Sequence, residues 1–181
     1  MQRQIHRFDP PERFVAGTVG APGERTFYLQ ARGGGRTVSV ALEKVQVAAL
    51  AERLGELLGE LRRRGVTAAA DPPGGEDTAP LDSPVEEEFR VAALALGWNP
   101  EAGQVVIEAQ APAEDPGEVQ PLSDAEEGPD VLRVFLVPAA VRAFVIRAQR
   151  VVAAGRPACP LCGLPLDASG HVCPRQNGHR P

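Results

Sequence analysis

The sequence predicts an α+β fold: two β-β-β-α units form antiparallel sheet covered by two helices, and a small zinc-ribbon-like module closes the chain. Three observations predict it. Hydrophobic periodicity changes from two to 3.6 residues twice, in the same order each time. The last strand and helix of the two halves align without a gap. All three cysteines and two of the three histidines fall within residues 158–179.

In the first half, "RFVAGTVG" (13–20) is β-rich and runs into the turn signal "GAPGE". "RTFYLQARGGGRTVSVALE" (25–43) reads as two strands around a hairpin loop at Gly33, Gly34 and Gly35. Val38, Val40 and Leu42 alternate as in a half-buried strand. From Lys44 the spacing becomes helical, with Val47, Leu50, Ala51, Leu54, Leu57, Leu58 and Leu61 on one stripe. Arg62, Arg63 and Arg64 suit the negative end of that helix, and Gly65 suits the position beyond it.

Residues 65–84 have the composition of a flexible linker. The second half follows with strands at 88–98, 104–111 and 131–137, then a helix opened by Pro138. A shift of 94 positions carries Val38, Val40 and Leu42 onto Leu132, Val134 and Leu136, and Arg53 onto Arg147. An internal duplication explains this match; shared strand-helix periodicity explains much of it too. The domain reading is therefore a body at 1–155 and a tail at 156–181. The body divides into half one (8–64), an acidic linker (65–87) and half two (88–155), which carries an acidic loop at 111–130.

The formal charge of −5 hides an uneven distribution. Residues 71–88 and 111–130 each hold seven Asp or Glu and no Lys or Arg, so the remainder of the chain carries +9. No apolar run approaches the ~20 residues that span a bilayer. The first residues lack the apolar stretch of a signal peptide. A cytoplasmic protein without membrane insertion is expected, and an odd cysteine count fits metal better than a disulfide framework.

The tail carries the chemistry. Cys159-Pro160-Leu161-Cys162-Gly163 is the CPxCG form of a zinc knuckle, in which two thiolates on a tight turn grip one ion. A lone CxxC would equally suit a redox dithiol. Here Cys173 supplies a third thiolate, and His171 or His179 completes a tetrahedral Cys3His set. His171 is favoured, because in an extended segment it points the same way as Cys173. His179 lies two residues from the last residue given. The zinc is expected to be structural, since Asp167 is the only acid in the module.

"FDPPERFVAGTVGAPGERTFYLQARGGGR", "FRVAALALGW" and "AGRPACPLCGLPLDASGHVCPRQNGH" together resemble an uncharacterised family of actinobacterial proteins, a conserved domain of unknown function. The resemblance spans the chain apart from the two acidic loops. It implies a gene neighbourhood shared with a histidine-type phosphatase and a lipid-kinase-like protein. It also implies a common GHxCPRxNG ending, which supports His171 and Cys173 as ligands.

Other features have plainer readings. "GERTFYLQARGGGR" (23–36) lacks the residue order of a P-loop and reads as a hairpin. Trp98 reads as a core edge, and Pro10-Pro11 as a rigid lead into the first strand. Arg53 and Arg147 could form a symmetric anion site, or be solvated helix arginines. His6 is the only histidine outside the tail, so no Ser-His-Asp arrangement can be drawn there and an enzyme is not the leading expectation. That leading expectation is a non-enzymatic zinc-binding adaptor acting through an unidentified protein partner. The alternatives are a nucleic-acid-binding zinc-ribbon protein and an enzyme or accessory factor in phosphate metabolism or signalling.

Overall fold

A computed structural model describes residues 2–21, 23–66, 76–115, 117, 120–154 and 161. The elements run β1 (Ile5–Phe8), β2 (Arg13–Val19), β3 (Thr26–Gly33), β4 (Arg36–Leu42), α1 (Lys44–Arg63), β5 (Glu87–Arg90), β6 (Ala93–Asn99), β7 (Gln104–Gln110), β8 (Val131–Leu136) and α2 (Pro138–Ala153). Gly34 and Gly35 turn the β3–β4 hairpin with φ of 59° and 75°. Both central residues at positive φ is what a two-residue turn matched to strand twist requires. At α1, Glu43 and Gln46 close a reciprocal capping box, while Arg62 and Arg63 occupy the last turn. Pro138 lies in the first turn of α2, where its missing N–H costs nothing.

The strands form two mixed four-stranded sheets, in place of antiparallel sheet alone. One has the order β1-β8-β7-β6, the other β2-β3-β4-β5. Within each half the three-stranded meander is antiparallel, as expected. The departure comes from two short strands. β1 pairs in parallel with β8, and β5 pairs in parallel with β4. Each half thus lends its first strand to the other half's sheet, and the boundaries at 8 and 88 cut through that exchange.

The inner faces of both sheets and the buried stripes of both helices share one core. Phe14, Leu29, Val40, Leu54, Ile107, Val134 and Phe144 all belong to it. Phe14 and Phe144 stack with ring centroids 4.7 Å apart, fixing α2 against β2. The residues matched by the 94-position shift are buried on both sides: Val38, Val40 and Leu42, then Leu132, Val134 and Leu136. The two repeated units are therefore present, with two helices over the sheets. No described helix is long and apolar enough to cross a membrane.

Candidate functional site

Cys159, Cys162, His171, Cys173 and the alternative ligand His179 lie outside the described residues. Among the described residues no three His, Cys, Asp or Glu side chains converge as metal ligands. His6 belongs to β1, paired with Leu132, and Trp98 is half-buried against the core. What the body does bring together is two clusters of charge on the outer faces of its sheets. Each holds down one of the acidic segments.

The first cluster grips residues 76–84. Arg13 of β2 makes a forked pair with Asp77, at 2.7 Å from Nε and 3.1 Å from Nη2. Arg32 of β3 donates from Nη1 to both carboxylate oxygens of Asp82, at 2.9 and 3.1 Å. Arg147 of α2 donates to the carbonyls of Ala16, Asp77 and Ala79 and to the Asp77 carboxylate. Arg150 reaches Glu76 at 2.6 Å. Gln30 exchanges two bonds with Asp82, its amide donating to the Asp82 carbonyl and its oxygen accepting the Asp82 N–H. An open cavity of about 520 Å³ borders this cluster, lined by Glu12, Arg13, Arg32, Asp77, Asp82 and Ser83 among others.

The second cluster grips residues 122–130. Glu108 of β7 is fully buried and accepts from Arg133 Nε at 2.8 Å, from Gln110 at 2.6 Å and from the Leu122 N–H at 3.2 Å. Arg133 also bonds Asp124 and the Ser123 carbonyl. Arg3 adds bonds to the carbonyls of Ser123 and Pro129. The two clusters are related. Gly17 and Gly97 are each the fifth residue of a seven-residue strand. Each leaves a notch for a leucine from the segment above it: a Cβ would sit 2.5 Å from Leu81 at Gly17 and 2.8 Å from Leu122 at Gly97.

Electrostatics follow the bonding. The Arg13 hydrogen bond, reinforced by a backbone N–H and by Arg147, holds the Asp77 carboxyl below its ordinary range, against the opposing effect of burial. The bond from Arg133 does the same for Asp124. Burial opposes the charge on Arg133, but its bonds to Asp124 and Glu108 outweigh that and its pKa rises. For Arg147 burial wins, and its pKa falls despite Asp77. Asp124 is itself 82% exposed, so the strength of this pair lies in the buried arginine.

The sequence reads 65–84 as a flexible linker and 111–130 as an acidic loop. Residues 76–84 and 122–130 are instead straps fastened to the sheets. Arg53 and Arg147 occupy different surroundings: Arg53 is exposed on α1, while Arg147 is buried beneath the first strap with Nε and Nη1 engaged. The signal for the straps was an isolated glycine within each of two strands, a mark of close approach.

Residues 6–173 match the family model described as a protein of unknown function, DUF3090. The chain belongs to the DUF3090 family. The DUF3090 match takes in both halves, both straps and the tail as far as Cys173, and so includes Cys159, Cys162 and His171. No curated protein and no solved structure matches the chain.

Proposed function

We propose that this DUF3090 protein is a zinc-binding adaptor or regulatory protein that works through protein interaction. Zinc would be held by Cys159, Cys162, His171 and Cys173, and the tail would dock as a metal-stiffened element beside the body. One observation carries the reading: the C-x2-C-x8-H-x-C spacing gathers every cysteine of the chain into one Cys3His set. All four residues lie within the span that matches the family. Four metal bonds supply folding energy that so small a module cannot obtain from a core.

The nucleic-acid alternative is weaker on the geometry. The +9 balance of the chain without its acidic stretches depends on arginines such as Arg13, Arg32, Arg133, Arg147 and Arg150. Those five are already engaged by carboxylates, mostly from the straps.

The test has two stages. Metal analysis of the purified chain should give one zinc, lost in Cys159→Ser/Cys162→Ser and in His171→Ala and kept in His179→Ala. Retention of zinc by the double cysteine variant refutes the site. Affinity capture should then recover a protein with the wild type that the double cysteine variant does not retain. Equal recovery by both removes the tail from the interaction.

A further inference from the structure

Each sheet has two edge strands, and three of the four edges are closed. β1 and β5 are four-residue strands carrying Arg7 and, on β5, Glu87, Glu88 and Arg90. Short charged strands resist pairing with another chain. β2 is longer, but α2 lies against it, and Arg147 Nε donates to the Ala16 carbonyl at 2.8 Å. That bond occupies an edge acceptor a foreign strand would need.

β6 has none of these defences. It is seven residues long, ALALGWN, and no charged residue lies between Arg90 and Glu101. Leu94, Leu96 and Trp98 are only partly buried where they meet the core. Among the described residues no hydrogen bond reaches the outward backbone groups of β6. A long, apolar and uncharged edge is a template for strand addition.

We infer that β6 pairs with β6 of a second copy of this chain, antiparallel across a two-fold axis centred on Leu96. The register comes from the sister strand. The Ala16 carbonyl accepts Arg147 from outside its sheet, so Phe14, Ala16 and Thr18 direct their backbone groups away from β3. Leu94, Leu96 and Trp98 hold the same places in β6, since Gly17 and Gly97 correspond.

Centring the axis on Leu96 makes three hydrogen-bonded pairs: Leu96 with its own copy, and Leu94 with Trp98 twice. On one face this sets an indole against a leucine at each end and two leucines at the centre, pairings that stabilise sheets. On the other face Ala95 lies opposite Gly97, with no bulk to obstruct the approach. The two β1-β8-β7-β6 sheets become one eight-stranded sheet.

The experiment is sedimentation velocity on the full, zinc-loaded chain up to about 100 μM, a range that populates weak dimers. Twice the 19.1 kDa chain mass is expected at the upper concentrations. Ala95→Lys places two lysines diagonally across the seam and should return the mass to one chain, with circular dichroism and melting unchanged. Leu96→Cys should form a disulfide-linked dimer under mild oxidation that wild type and Ala93→Cys do not form. A single-chain mass throughout overturns the proposal. So does a dimer that survives Ala95→Lys without crosslinking at Leu96→Cys, or an edge that captures an extended peptide of another protein while the chain stays monomeric.

Discussion

Glu108→Ala is the most informative perturbation of the body. Glu108 is fully buried, and its carboxylate accepts from Arg133, Gln110 and the Leu122 N–H. The substitution leaves Arg133, whose side chain is 4% exposed, facing the vacated side of a buried pair. Removing one partner of such a pair costs about 3–5 kcal/mol, because the other charge stays desolvated. With a urea slope of about 2 kcal/mol/M, the unfolding midpoint should fall by about 1.5–2.5 M. Against the roughly 5–15 kcal/mol of a whole domain, that is a large fraction. The double variant Glu108→Leu/Arg133→Met removes both charges and should cost less than the sum of the single changes, by about 2–3 kcal/mol. Arg133 also binds Asp124 and Ser123, so the double variant should not fully recover wild-type stability. The measurement is urea unfolding followed by far-UV circular dichroism at pH 7. A single-variant cost under about 1 kcal/mol, or strictly additive costs, would refute the view that this pair fastens the second strap.

Four further outcomes are expected. Gly17→Ala should destabilise by about 1–3 kcal/mol, because its Cβ would meet the branch atoms of Leu81, and Leu81→Ala in the same chain should restore part of the loss on thermal melting. Gly97→Ala should be milder, since there only the terminal Cδ1 of Leu122 is in the way. The carboxyl of Asp77 is held low in the folded state, so it stabilises the fold above its unfolded pKa of roughly 4, and that contribution disappears as pH falls through the lower folded value. Asp77→Asn should flatten the acid limb of a stability–pH curve at and below about pH 4; an unchanged limb would contradict the strap contacts. Arg147→Met should cost about 1–3 kcal/mol by leaving the Ala16 carbonyl without its donor and those of Asp77 and Ala79 with only Arg150 and Arg13, and hydrogen exchange should rise in 76–84 before it rises elsewhere.

The elements with long, regular patterns were legible in the sequence. The α1 stripe, the triple-glycine hairpin, the strands β2, β7 and β8 and the proline-led α2 stand where periodicity and turn chemistry put them. β1 and β5 were not legible. Each has four residues and charged positions, and each exists because a parallel neighbour supplies its hydrogen bonds. The segment 88–98 therefore read as one strand, although it holds the end of β5 and most of β6. The straps failed differently. Composition marked 65–84 as a flexible linker and 111–130 as an acidic loop, but a segment's mean hydropathy says nothing about arginines elsewhere that can bind its carboxylates. Arg13 and Arg133 fall on the face that strand alternation assigns to polar residues, out of phase with Phe14 and Leu132, so periodicity gave no sign that a strap would bury them. The proposed metal ligands lie outside the described residues, and their reading rests on spacing.

The traded strands β1 and β5 make the two halves mutually dependent. Cleavage between residues 66 and 76 would produce fragments that each lack an edge belonging to their own sheet. The first fragment would also lose the strap that covers its outer face. Neither piece should hold its fold alone, yet mixed together they should reassemble, each acting as the other's missing part. A chain carrying one such unit alone would be complete only in pairs, with the same strands passing between two copies.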